Sequence, residues 1–382
     1  MAKTLRKFGD SAKIVKFPEK PLQAAFRQAI INLAGCSPVR PGILMKEVKR
    51  MKKKISLLLS ALFLMGLLAA CGGSSGSGSA NNASGGSYSK GNLTFTTGGD
   101  QGTYYALGNV IAGQVSAATD TKVTAITSGG SQANILALSD GDAQLAFAQS
   151  DVMAYAYNGT NLFDTPVPGF STVAALYTEQ VQIVTLDPDL QTVADLAGKT
   201  VSVGDAGSGT YFNAVDILNA YGIDAETDIN PVYESFGTSA DSLQDGKIDA
   251  AFVVAGAPTN AVTSLAATKD VYLIGLDDDH INALIASSPY YTMNVIPAST
   301  YNLPADVTTV AVGAVVIARD DTADDDIYNF VSGTFEHLDA VTNAHAKGAE
   351  LNLDFAASVT SVPYHPGAAR YFSEKGFDVP TK

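Results

Sequence analysis

The chain has 382 residues, a hydrophobic fraction of 46% and a formal net charge of -14, enough for a folded body of two domains with a real core. The charge divides at Cys71: the residues before it carry +11, and those from it onward carry -25 with only ten basic side chains, which excludes nucleic acid as a partner. Both cysteines, Cys36 and Cys71, precede the globular-looking segment, and His280, His337, His345 and His365 have neither an acidic i,i+4 partner nor a nearby cysteine, so neither disulfides nor a metal site is expected.

Residues 51–70 begin with Lys52, Lys53 and Lys54, continue through an apolar stretch from Ile55 to Leu68 and end in small residues. This is the layout of a cleaved signal peptide, and the stretch is interrupted and too short for a membrane-spanning helix. Leu68-Ala69-Ala70-Cys71-Gly72 resembles the bacterial lipobox, which implies lipidation of Cys71 and an anchor to the membrane outside the cytoplasm. Residues 71–90 are rich in Gly, Ser and Asn and predict a flexible tether. Residues 1–50 sit awkwardly before a signal peptide, so they are expected to reflect a start site placed too far upstream; a genuine cytoplasmic extension is the alternative.

From Gly91 onward, strand-like runs alternate with helix-like segments, the pattern of an α/β fold with largely parallel sheets. Strands are expected at Leu93 to Thr97, Val123 to Ile126, Gln144 to Ala148, Val181 to Leu186, Thr200 to Gly204, Ala250 to Val254 and Thr309 to Ala318. Helices after Gly102 and Thr210 place Tyr105, Val110, Ile111, Val115 and Phe212, Val215, Ile217, Leu218 on core faces. A fresh β-α unit after Pro188 and the long apolar run around Thr309 predict a chain that builds one lobe, crosses to a second and returns. Lobe one is expected at residues 91–186 plus 306–382 and lobe two at 187–305, with a ligand cleft between them.

Gly-rich or polar turns recur where expected strands give way to helices, at Gly98 to Thr103, Ser128 to Ser131, Gln149 to Asp151, Asp205 to Thr210 and Gly256 to Thr259. Such turns let backbone approach a ligand and aim helix N-termini at it, which suits an anion such as a carboxylate. Gly207 to Thr210 lacks both the third glycine of a dinucleotide fingerprint and the lysine of a P-loop, so no nucleotide cofactor is expected. Asp277 to Asp279 and the acidic run from Asp320 to Asp326 lack calcium-loop spacing and read as solvated helix caps. No hydrolase, metalloprotease or kinase motif occurs in the folded region, and the chain reads as a binding protein, not an enzyme.

Several segments resemble the TAXI-type substrate-binding proteins of TRAP transporters, over nearly all of residues 91–376. They are TTGGDQGTYYALGNVIA from Thr96, ITSGGSQANILAL from Ile126, AFAQSDVMAYAYNG from Ala146, DLAGKTVSVGDAGSGT from Asp195 and VPYHPGAARYFSEKG from Val362. The resemblance implies a two-lobed, periplasmic-binding-protein-like (type II) clamp that delivers a glutamate-, glutamine- or 2-oxoglutarate-like solute to TRAP membrane subunits. Thr178 and Asp205-Ala206 depart from the family pattern and bear on ligand selectivity. Tyr104, Ser131, Asn134, Gln149, Gly207, Ser208, Gly209 and Thr210 are expected to hold the solute, with Tyr105, Asp151, Glu179 and Pro258 as secondary candidates. The same clamp also serves binding subunits of ABC importers and sensors that dock on receptor kinases, and these remain the alternatives.

Overall fold

The computed structural model describes residues 90–382. The leader, Cys71 and the tether up to Ser89 lie outside the described residues. The first strands are β1 (Asn92–Thr96), β2 (Lys122–Ile126) and β3 (Leu145–Gln149), with β1 parallel to both of its neighbours. Helices α1 (Thr103–Ala118), α2 (Ser131–Asp140) and α3 (Ser150–Asn158) follow these strands in turn. On α1 the buried face carries Tyr104, Leu107, Ile111 and Val115, while Tyr105 and Val110 are only half-buried. The helix is therefore rotated from the expected face, and Gly108 makes this possible: a Cβ there would stand 2.8 Å from Thr97 Cγ2.

β4 (Phe170–Thr185) is a 16-residue strand that leaves the first lobe and enters the second. The second lobe is built from β5 (Thr200–Ser202), β6 (Asn230–Val232), β7 (Ala250–Ala255), β8 (Tyr272–Ile274) and β9 (Thr292–Ile296), with α4 (Gly209–Ala220), α5 (Phe236–Gln244), α6 (Asn260–Ala266) and α7 (Asp278–Ser287) between them. β10 (Val307–Arg319) returns antiparallel to β4. The chain finishes on the first lobe with α8 (Asp324–Phe335), α9 (Leu338–Ala344), α10 (Leu353–Ala356) and α11 (Pro366–Glu374).

The strand order is β2-β1-β3-β10-β4-β7-β5-β6. The expectation of largely parallel sheets is corrected by this order, because β10 and β4 run antiparallel to β3 and β7. Strands that arrive by crossing from the other lobe enter the sheet against the direction set by the local β-α-β units. The expected strand at Val181 is only the end of β4. Its first half is buried on both faces, which erases the period-2 signal.

Three apolar cores result. One fills the first lobe around Phe95, Tyr104, Phe147, Tyr177 and Phe330. The other two lie on opposite faces of the second lobe's part of the sheet, with Val181, Ile183, Phe252 and Val254 on one side and Val184, Ala251 and Val253 on the other, as the alternation of a strand requires. The change from first core to second falls between Tyr177 and Val181 on β4 and between Val312 and Ala314 on β10. Both long strands therefore serve both lobes, and a hinge between the lobes must pass through them. The molecule is an α/β fold of two lobes joined through β4 and β10.

The acidic runs fall at helix starts. Asp277 caps α7 by accepting the His280 N–H at 3.1 Å. Asp326 is not a solvated cap: it is buried, accepting the Thr121 hydroxyl at 2.7 Å and the Gly91 N–H at 3.0 Å, and so ties α8 to the first strands.

Candidate functional site

The carboxyl ends of β1, β2, β3 and β5, with those of β6 and β7, converge on a partly open cavity of about 50 Å³ between the lobes. From the first lobe it is lined by Gly98, Gly99, Gly102, Thr103 and Tyr104, by Gly129, Gly130 and Ser131, and by Gln149 and Glu179. From the second lobe come Asp205, Ser208, Gly209 and Thr210, Ser235 and Phe236, and Val254 and Ala255. Ligands in open α/β sheets sit at such strand ends.

Helices α1, α2 and α4 begin at this cavity with no acidic residue in the first turn, and α3 and α5 start from the lining residues Gln149 and Ser235, α3 with Asp151 in its first turn. Gly102 and Gly130 cap the first two without a side-chain bond to the helix. The first-turn N–H groups of α1 and α2 thus supply positive character at the cavity. Glycine is required at two positions here. Gly130 has φ +99, and a Cβ at Gly209 would fall 1.8 Å from Gln149 Oε1 and 2.7 Å from Ser131 Oγ. The second lobe's turn therefore rests directly against side chains of the first.

Inside the cavity the Tyr104 hydroxyl donates to Glu179 Oε2 at 2.6 Å, and both residues are buried. Burial pushes the Glu179 carboxyl up to about 8, against the pull of the Tyr104 bond and of Lys347. Burial and the neighbouring Glu179 also push the Tyr104 hydroxyl up. At neutral pH the pair is therefore a phenol and a carboxylic acid, and it carries no net charge. The Tyr104 ring is fixed by stacking on Phe147 at 4.4 Å. Ser131 Oγ accepts the Gln149 N–H at 3.1 Å, and Ser208 Oγ accepts the Tyr211 N–H at 3.2 Å. Gln149 Oε1 is buried and has no hydrogen-bond partner among the described residues. The cavity offers hydrogen bonding and charge compensation to a guest.

The structure thus brings Tyr104, Ser131, Gln149, Glu179, Ser208, Gly209 and Thr210 together at the cavity. Five candidates fall outside its lining. Asn134 sits beneath the turns, where Nδ2 donates to the carbonyls of Thr97 at 2.7 Å and Phe147 at 2.8 Å, tying β1 to β3. The Gly207 carbonyl accepts the Ala133 N–H at 3.1 Å, a bond between the lobes. Tyr105 is half-buried on α1, Asp151 is buried on α3 against Asn213, and Pro258 is exposed after its cis peptide bond. Sequence reasoning missed Ser235, Phe236, Val254 and Ala255. Ser235 had a usable signal, since it caps α5 by accepting the Thr238 N–H and a serine before a helix marks its start. The other three are ordinary apolar residues with no local mark.

Further bonds close the clamp around the cavity. Thr103 Oγ1 donates to the Gly256 carbonyl at 2.9 Å, and the Ala261 N–H donates to the Gln101 carbonyl at 3.3 Å. The Tyr155 and Ser288 hydroxyls meet at 2.9 Å. Among the described residues no group of His, Cys, Asp and Glu is arranged to hold a metal ion, and no helix is long and apolar enough to cross a membrane.

Residues 95–376, from β1 to the end of α11 and so across both lobes, match the NMT1-like family. The chain belongs to that family. Solved structures similar to this NMT1-like chain include MatC from Rhodopseudomonas palustris with bound malate, at 15% identity and a TM-score of 0.49 over 68% of this chain and 89% of that one. The alkanesulfonate-binding protein SsuA from Xanthomonas axonopodis pv. citri, bound to MOPS, is similar at 14% identity and a TM-score of 0.42, over 76% of this chain and 92% of that one.

Proposed function

We propose that this NMT1-like chain is the extracytoplasmic solute-binding subunit of a bacterial TRAP transporter of the TAXI type, anchored through lipidated Cys71. The observation that carries the binding role is the cavity between the lobes, lined by turns from both. A guest that touches both lobes favours their closure about β4 and β10, which is how a clamp couples occupancy to a partner that reads its shape. The TAXI assignment rests on the sequence segments that carry that resemblance, and the anchor rests on the lipobox-like residues around Cys71.

The guest is a small carboxylate such as glutamate, glutamine or 2-oxoglutarate. Helix N-termini from both lobes face the cavity and Glu179 is protonated at neutral pH, so N–H donors face a carboxylate and the Tyr104–Glu179 pair adds no charge against it.

Thermal melting of the purified protein with L-glutamate, L-glutamine, 2-oxoglutarate and malate tests this reading. A guest at one hundred times its Kd adds about 2.7 kcal/mol, an upward shift readily seen. A melting curve unmoved by every small carboxylate overturns it. Solute uptake by vesicles that hold the TRAP membrane subunits, without ATP, tests the coupling.

A further inference from the structure

A second set of polar groups is buried where the lobes meet, away from the cavity. Asp151, in the first turn of α3, has no exposed surface. Its Oδ1 accepts the Val152 N–H at 2.8 Å, and its Oδ2 accepts Nδ2 of Asn213, on α4 in the other lobe, at 2.7 Å. The same Nδ2 donates to the Tyr291 hydroxyl at 2.8 Å, which in turn donates to Asp216 Oδ2 at 3.0 Å. None of Asp151, Asn213, Asp216 and Tyr291 lines the cavity.

The titratable groups facing Asp151 are acidic or phenolic. They are Asp216 from α4, Tyr290 and Tyr291 from the segment before β9, Tyr155 from α3 itself, and Glu179 from β4. Among the described residues, its hydrogen-bond partner from the opposite lobe is the neutral amide of Asn213. Burial, with Asp216 adding to it, pushes the Asp151 carboxyl up to about 7 against the bonds from Val152 and Asn213.

We propose that Asp151 and Asn213 form an inter-lobe latch, separate from the solute cavity, that fastens the closed clamp while the Asp151 carboxyl holds a proton. This rests on the clamp reading of the fold. Asn213 can serve either form of its partner, because an amide donates to a carboxylate through nitrogen and accepts from a carboxylic acid through oxygen. Asn213 Oδ1 is buried and has no partner among the described residues, so this acceptor is unspent. When the lobes part, water reaches Asp151, its pKa falls back toward 3.8, and the proton leaves at neutral pH. Closing takes the proton up again. The closed form is therefore favoured at low pH and loses that advantage as pH rises through about 7.

The test reads lobe separation by single-molecule fluorescence transfer in the full chain with no solute added. Native cysteines are removed by Cys36→Ser and Cys71→Ser, and dyes are placed on the exposed positions Asp140→Cys in the first lobe and Lys269→Cys in the second. Glu179→Gln is included so that Glu179 does not titrate in the same range. The closed-to-open ratio should fall about tenfold between pH 6 and pH 8. Adding Asp151→Asn should keep the clamp closed and flatten that dependence, whereas adding Asn213→Ala should open it across the range, with circular dichroism showing both variants folded. The latch is overturned if Asp151→Asn leaves the pH slope intact, if Asn213→Ala leaves the clamp closed, or if lobe separation ignores pH, a uniformly open clamp included. Since no solute takes part, these outcomes judge the latch alone, and the melting screen judges solute capture.

Discussion

Tyr104 and Glu179 share a buried hydrogen bond of 2.6 Å at the point where α1 and the hinge strand β4 meet over the cavity. Tyr104 lies in the first turn of α1, just after the opening glycine loop of the first lobe, and Glu179 lies between the residues at which β4 leaves one core and joins another. A guest that touches this pair is in contact with the hinge itself.

The charge of Glu179 should set the pH dependence of binding. Its carboxyl is pushed up to about 8, so ionisation above that value puts an anion beside an anionic guest. Affinity for a carboxylate solute is expected to be about tenfold weaker at pH 9 than at pH 7, by titration calorimetry, and Glu179→Gln should remove the difference. Stability follows the same sign. The buried acid carries no charge penalty below about 4.5, and the penalty grows as pH rises to about 8, so Glu179→Gln should gain melting temperature over the parent at pH 9 and little at pH 4.

Lys347 is buried, pairs with Glu350 and stands 5.8 Å from the centre of the Tyr177 ring. Its charge opposes the rise at Glu179. Lys347→Met should therefore move the midpoint of the binding profile to higher pH, by roughly half a unit to one unit. An unmoved midpoint would show that the ammonium does not act on Glu179.

Gly209 brings the second lobe against Gln149 and Ser131. Gly209→Ala inserts a methyl group where the Gln149 amide oxygen lies, so the clamp closes only if that side chain leaves the cavity. Affinity should fall by about tenfold or more, corresponding to roughly 1.4 kcal/mol, while the melting temperature of the unliganded protein changes little. Calorimetry and melting of the same sample separate the two effects.

Asn134 is expected to matter for folding more than for affinity. Asn134→Ala deletes two buried bonds to the Thr97 and Phe147 carbonyls and leaves those acceptors without the amide, a loss of about 2 kcal/mol or more. The midpoint of urea unfolding should drop accordingly. A variant of unchanged stability and reduced affinity would return Asn134 to the cavity.

Cys71→Ala should abolish incorporation of labelled fatty acid and shift the mature protein from the membrane fraction to the soluble one. Continued labelling would place the lipid elsewhere.

Much of the fold was legible because the turns carry their chemistry locally. The glycine loops after β1, β2 and β5 are visible as sequence, since positive φ and close backbone approach demand glycine wherever they occur. Tyr104, Ser131, Gln149 and the Ser208 to Thr210 turn, singled out by these loops, line the cavity in the structure. The first half of β4 was not legible, because a strand covered on both faces shows no alternation. Phe236 and Ala255 were not, because an apolar residue in a cavity wall looks like one in a core. Asn134 was misjudged for a related reason: its amide could serve a guest or a carbonyl, and only packing shows that Thr97 and Phe147 take it.

The sequence by itself determined the α/β class, the two-lobed plan, the acidic folded part and the set of turns offered to a ligand, since composition, periodicity and turn residues are local properties of the chain. Tertiary structure alone decided which turns meet and what their side chains become on meeting. Glu179, Asp151 and Asn213 lie far apart along the chain and are ordinary polar residues in isolation. Closing the lobes removes their water, and in a dry interior the same carboxyl groups hold protons that the solvated chain would release.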